Sequence, residues 1–158
     1  MLAAEIMRRS FATVEPTTML IVAARLLLET NQRGLPVLDA AGRLVGIVSE
    51  GDLLHRDELG VSPPSGNWFE ELLGIEENGP ARERMRALRV AAIMTPDPVF
   101  VSEDASIDDV VAEMDRRHVG QVPVVCADEV IGIVSRFELI AALERGLNRN
   151  EESAEVNQ

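Results

Sequence analysis

The chain has 158 residues, enough for one compact domain or two small units sharing a core, and its 46% apolar content is that of a globular protein. Its formal net charge is −12 and all 15 basic residues are Arg, a balance that repels phosphate backbones and anionic lipid at long range and argues against nucleic acid and membrane as partners. Aromatic residues make up only 3%, so the core must be aliphatic, and the single cysteine, Cys126, excludes an intrachain disulfide and fits a cytoplasmic location.

In chain order, a short helix ends at Met7 and a short extended piece follows over Ala12–Val14. The segment MLIVAARLLL (19–28) is too short for a bilayer, which needs ~20 apolar residues. It is interrupted by Arg25 and follows an acidic, Pro-containing turn rather than a basic leader, so the chain reads as soluble and unprocessed. It predicts an amphipathic helix burying Leu20, Ala23, Ala24, Leu27 and Leu28. Two strands follow, Leu35–Leu38 and Leu44–Val48, joined by the DAAG turn (39–42), and a helix starts after Ser49.

Residues 57–90 read as a helical connector. GVSPPSGN (60–67) has loop composition, WFEELLG (68–74) predicts a short helix capped by Asn67 and stopped by Gly74, and Pro80 can open another. Trp68 and Phe69 either pack this connector onto its surroundings or stack on a ligand.

The remainder repeats the first plan: a helix ending at Met94, an extended Val99–Val101, and a helix capped by Ser106 with Asp108 and Asp109 in its first turn. Its apolar face is Ile107, Val110, Val111 and Met114. Strands Val122–Val125 and Val130–Val134 flank a turn at 127–129, and a last helix starts after Ser135. Beyond Arg145 the polar tail is expected to fray.

The repetition is close. VGIVSEGDLL (45–54) matches IGIVSRFELI (131–140); Ala4, Ile6 and Met7 match Ala91, Ile93 and Met94; Pro36-Val37 matches Pro123-Val124. The second copy is one residue shorter in the hairpin turn, where deletions are tolerated. The expected organisation is a first unit at 1–56, the connector at 57–90, a second unit at 91–146 and a flexible tail at 147–158. The fold class is α+β. Each unit is β-α-β-β-α with a leading helix; the two strands of its strand–helix–strand part are parallel through a right-handed crossover and its hairpin strands antiparallel. One unit is too small to be comfortable alone, so the two should pack about a pseudo-twofold axis.

Catalytic constellations are scarce. There is no G-x-G-x-x-G or Walker loop, and Gly46-Ile47-Val48-Ser49 misses the spacing of a G-x-S-x-G elbow. His55 and His118 have no second ligand at metal spacing, and Asn31 stands where His118 stands in the other copy, which suggests a helix-end role for both. Cys126 continues an apolar run and reads as a small buried hydrophobe. The chain is therefore expected to be no enzyme and to hold no catalytic residue and no metal. What remains is Ser49-x-x-Asp52 and Ser135-x-x-Glu138, each where a strand gives way to a helix. A carboxylate there can accept both hydroxyls of a ribose diol, and free backbone N–H groups suit anions. Ser-x-x-acid is equally a capping box, and a duplicated fold would duplicate its caps, so the pattern alone leaves both readings open.

GLPVLDAAGRLVGIVSEGDLL (34–54), GQVPVVCADEVIGIVSRFELI (120–140) and AAIMTPDPVFVSEDASIDDVV (91–111) resemble the CBS domain, named after cystathionine β-synthase. The chain is similar to a free-standing bacterial pair of such domains, a Bateman module. The resemblance implies a non-catalytic regulatory sensor. Clefts between its two units would bind an adenosine-containing ligand, such as AMP, ADP, ATP, S-adenosylmethionine or NADH, with no cofactor required. It further implies that Ser49 and Asp52 hold ribose in one cleft, with Arg33, Gly34, Leu35 and Pro36 as the adenine wall. In the other cleft these roles fall to Ser135 and Glu138, and to Gln121, Val122 and Pro123. Thr13 and Val99 would lie at the adenine edges, and Arg136 could meet a phosphate. Glu138 departs from the expected Asp and lengthens the arm by a methylene. The resemblance also implies a homodimer acting on an unknown protein target; the alternative is a structural dimerisation module with vestigial clefts.

Overall fold

The computed structural model describes residues 1–54 and 88–155, the last few of these by backbone alone. The expected helices around Trp68, Phe69 and Pro80, and His55, lie outside the described residues. In chain order the elements are α1 (Ala3–Ile6), α2 (Leu20–Thr30), β1 (Gly34–Leu38), β2 (Leu44–Ser49), α3 (Glu50–Leu54), a 3-10 turn (Val90–Ala92), β3 (Thr95–Pro96), β4 (Val101–Ser102), α4 (Ile107–Arg117), β5 (Gln121–Cys126), β6 (Glu129–Ser135) and α5 (Arg136–Glu155). The fold is α+β, with two three-stranded sheets ordered β1-β2-β3 and β4-β5-β6.

By packing, the chain divides into two units: Ala12–Pro98, and Met1–Phe11 together with Val99–Gln158. The leading segment of each repeat thus belongs to the unit built on the hairpin of the other.

In the unit Ala12–Pro98, β1 and β2 form an antiparallel hairpin pairing Gly34 with Ser49 and Val37 with Gly46. Asp39 closes the turn, its Oδ1 accepting from the Ala41 and Arg43 amides at 2.9 Å each, and Gly42 takes φ +80°. Val14 bridges Val37 in parallel, and β3 adds to the far side of β2, pairing Thr95 with Ile47. Leu20, Ala23 and Leu27 of α2 close the core over Leu35, Val37 and Val48, with Val90 and Ile93 from the second repeat. Leu28, expected on the buried face, is 83% exposed, because the buried stripe runs through 20, 23 and 27 and position 28 falls at its edge.

Proline in a strand removes a ladder donor. In the parallel pattern set by Val14, the carbonyl of Ala12 would look to the N–H of residue 36, which is Pro36. Gln32, only 5% exposed, fills the gap: its Oε1 accepts from the Ala12 amide at 2.6 Å, and its Nε2 donates to the carbonyls of Ala12 and Gly34 at 3.1 Å.

In the other unit, β4 pairs parallel with β5 (Val101 with Val124), and β5 pairs antiparallel with β6 (Gln121 with Ser135, Val124 with Gly132). The place of β3 is taken by Arg8, which exchanges backbone hydrogen bonds with Ile133 at 2.8 and 3.0 Å. Ser106 caps α4, its side chain accepting from the Asp109 amide at 3.1 Å while the Asp109 carboxylate returns to Ser106. Val110 and Met114 pack on Val101, Val122, Val124 and Val134, with Ala3, Ile6 and Met7 of the leading segment.

Asn31 and His118 both occupy the left-handed region at the C-terminal caps of α2 and α4, each with φ 54°. Helix α5 runs on to Glu155, past the point where a fraying tail was expected. Residues 147–155 are rich in helix formers, and Asn148 donates to the Glu144 carboxylate one turn back.

Candidate functional site

The strand register brings the two halves of each predicted site together. Gly34 faces Ser49 across the β1–β2 hairpin, and Glu50 donates its amide to the Arg33 carbonyl at 3.1 Å, so Arg33, Gly34, Ser49 and Asp52 share one end of the sheet. Asp52 turns back on the strand end. Its Oδ2 accepts from the Ser49 amide at 2.7 Å and the Ser49 hydroxyl at 3.0 Å, and the Asp52 amide donates to Ser49 Oγ at 3.3 Å. This is a capping box. It engages one carboxylate oxygen; the other, Oδ1, carries only a long contact of 3.5 Å from the Thr95 hydroxyl. The Arg33 guanidinium pairs with Glu50 at 3.1 Å, but both side chains are more than half exposed, so the pair contributes at most about 1 kcal/mol.

Leu35 is wholly buried in the core cluster and Pro36 is fully buried as well, so of the expected adenine wall only Arg33 is exposed. Thr13 is exposed and held beside Pro36 by the Gln32 clamp on Ala12 and by the Val14 amide, which donates to the Pro36 carbonyl at 3.0 Å.

The second site repeats the frame with different chemistry. Gln121, 7% exposed, pairs with Ser135, and Glu138 Oε2 accepts from the Ser135 amide at 2.7 Å and from its hydroxyl. The longer arm changes the cap: Ser135 Oγ accepts from the amide of Phe137 at 3.2 Å rather than from that of Glu138. Oε1 of Glu138 has no hydrogen-bond partner among the described residues. Arg136 is the exposed first residue of α5, where Glu50 stands in the first site. Val122 is fully buried in the core, and Val99 packs against the same cluster. Because Val14 bridges Val37 as Val101 pairs with Val124, the counterpart of Thr13 is Phe100, 56% exposed, rather than Val99.

The sequence pointed to neither Thr95 nor Gln32. Thr95 reaches Asp52 from a distant stretch of chain, and no local pattern marks it. Gln32 was signalled, in principle, by the proline in a strand beside it.

Cys126 is half-buried, its Sγ donating to Glu103 at 2.9 Å, and so is not the plain hydrophobe expected. That hydrogen bond, then desolvation and the negative charges of Glu103, Asp104 and Glu129, push the thiol above its ordinary range. No group of three or more His, Cys, Asp or Glu side chains among the described residues is placed to hold a metal, and no helix among them is long and apolar enough to cross a membrane.

A family model of the CBS domain matches residues 3–58 and 90–145. The chain belongs to the CBS-domain family. It is a tandem pair, and the repeat boundaries of the family follow the sequence copies rather than the packing units. CBS domain-containing protein CBSX1 of Arabidopsis thaliana, a chloroplastic protein, is 31% identical over 87% of this chain, which spans 62% of the length of that relative. The crystal structure of CBSX2 in complex with AMP superposes with a TM-score of 0.69 at 29% identity, covering 91% of this chain and 97% of that one. The CBS domain pair of protein MJ0100 in complex with 5′-methylthioadenosine and S-adenosyl-L-methionine superposes with a TM-score of 0.66 at 25% identity, covering 92% of this chain and 97% of that one.

Proposed function

We propose that this protein is a cytoplasmic, non-catalytic sensor that binds an adenosine-containing ligand at its Ser-x-x-acid sites and passes the bound state to a protein partner. The observation that carries the reading is the Asp52 carboxylate. One oxygen holds the strand-to-helix cap, and the other, at the sheet end that Ser49 shares with Gly34, carries only the long Thr95 contact. A ribose diol can donate both hydroxyls to such a group without dismantling the cap. The complexes of related pairs with AMP, 5′-methylthioadenosine and S-adenosylmethionine support the same ligand class. Ligand would act on the partner only through a difference in affinity between two states of the protein.

Self-association is part of the proposal. Phe137, Ile140, Leu143 and Leu147 are each between 58% and 72% exposed along one helix, α5, an apolar stripe that a second copy can cover. Sedimentation of the wild type as a dimer and of Ile140→Glu as a monomer would support this; a monomeric wild type would refute it. The stripe also favours a second reading, a dimerisation module with vestigial sites.

Thermal shift with AMP, ADP, ATP, S-adenosylmethionine, NADH and adenosine separates the two readings. A ligand at a hundred times its dissociation constant adds about 2.7 kcal/mol of stability, a rise of several degrees. Selective stabilisation supports the sensor; a well-folded dimer that responds to none of the six supports the scaffold.

A further inference from the structure

The run Met94-Thr95-Pro96 brings a second fixed oxygen to Asp52. Met94 packs over Gly46, and its amide donates to the Val90 carbonyl at 2.8 Å. Strand β3 then pairs Thr95 with Ile47 and Pro96 with Gly46. A residue before proline is confined to extended backbone, and a β-branched side chain has few χ1 rotamers, so Thr95 Oγ1 has little freedom. It stands 3.5 Å from Asp52 Oδ1. Asp52 is fixed as well, because its Oδ2 accepts from the Ser49 amide and hydroxyl.

A hydrogen bond from a hydroxyl to an oxygen spans about 2.5–3.0 Å, so at 3.5 Å neither oxygen is spent on the other. Thr95 is exposed, and its hydroxyl has no other hydrogen-bond partner among the described residues. A carboxylate oxygen only accepts, whereas a hydroxyl both donates and accepts. The neighbouring hydroxyls of a ribose lie close enough together for each to meet one of these two oxygens. In the other unit the matching place, opposite Ile133, holds Arg8, whose Nε donates to the Ser10 carbonyl at 2.8 Å; it supplies no hydroxyl.

We propose that Thr95 reads the ribose at the Ser49–Asp52 site: one ribose hydroxyl donates to Asp52 Oδ1, and its neighbour bonds to Thr95 Oγ1. The site thereby distinguishes ribonucleosides from deoxyribonucleosides with two side chains drawn from different repeats. This rests on the adenosine-binding reading above. Losing a hydrogen bond between neutral groups lowers affinity about fivefold, and losing one to a charged group lowers it about tenfold or more.

The test is calorimetric titration of the full chain with adenosine, 2′-deoxyadenosine and 3′-deoxyadenosine. The parent protein carries Glu138→Ala, and the first site's share is the binding that adding Asp52→Ala removes. Thr95→Val keeps the β-branched shape and deletes the hydroxyl; Thr95→Ser keeps the hydroxyl. Thr95→Val should weaken adenosine binding about fivefold. The deoxynucleoside that lacks the hydroxyl meeting Thr95 should bind Thr95→Val and the parent equally, while the other loses as much as adenosine does. Thr95→Ser should restore the parent pattern. An equal change for all three ligands, or no change, would overturn the inference: the hydroxyl would not read the ribose, and the adenosine-binding reading would stand. Adenosine binding that survives Glu138→Ala and Asp52→Ala together, or none in the wild type, would overturn that reading and this one with it.

Discussion

Met7 lies directly over Gly132: a Cβ at position 132 would stand 2.5 Å from Met7 Sδ and 3.0 Å from Met7 Cβ. Gly46 meets Met94 in the same way, with a Cβ there 2.7 Å from the sulfur and 3.1 Å from the Thr95 carbonyl oxygen. The repeated Ile-Met and Gly-Ile-Val-Ser strings are therefore two halves of one contact, made between repeats rather than within them. Gly132→Ala should destabilise the protein by about 1–3 kcal/mol through overpacking. A double-mutant cycle with Met7→Ala, followed by urea unfolding, should show coupling of about 0.5–3 kcal/mol. Additive single effects would mean that the two residues do not pack as described.

Gln32 substitutes for the ladder bonds that Pro36 cannot make. Gln32→Leu keeps the volume and removes the side-chain partner of the Ala12 N–H and the Ala12 carbonyl. A loss of about 2–3 kcal/mol is expected, together with faster amide exchange at Ala12. An unchanged exchange rate there would show that the clamp does not hold the segment carrying Thr13.

The two helix ends at Asn31 and His118 test the repeat in another way. Both residues sit at φ 54°, a conformation that a β-branched residue resists. His118→Val should cost about 1–2 kcal/mol, and His118→Gly should stay within about 0.5 kcal/mol of wild type. Equal stabilities for the two would argue against a left-handed cap.

Cys126 gives a pH signature. Its thiol is raised in the folded protein by the Glu103 hydrogen bond first, then by desolvation and neighbouring carboxylates. The folded state holds this proton more tightly than the unfolded chain does. The associated stability is therefore complete below the ordinary thiol pKa and is lost as pH rises through the raised folded value. Alkylation by iodoacetamide should be slow at pH 8 and quicken above it, and Glu103→Gln should move the rate profile to lower pH. A profile that does not move would remove Glu103 as the cause.

Much of this was legible in the chain because repetition doubles every local signal. The helix faces at Ala23, Leu27, Val110 and Met114, the capping of α4 by Ser106, and both hairpins follow from periodicity and turn chemistry. The shared position of Asn31 and His118 pointed to helix ends, and both lie there. The exchange of leading segments was not legible: Met7 is buried equally well by either hairpin as far as hydrophobicity can tell, and only the tertiary arrangement selects Gly132. For the same reason Thr95 was hidden, since its link to Asp52 joins distant stretches of sequence. Leu28 shows the limit of a helical stripe, whose edge residues packing alone assigns.

The central claim is that Asp52 holds a ribose. Thermal shift of the wild type and Asp52→Ala against the adenosine panel tests it most directly. The account predicts a selective rise of several degrees for the wild type, reduced or lost in Asp52→Ala while the ligand-free melting temperatures stay close. An equal rise in both proteins, with Glu138→Ala also unaffected, would contradict it.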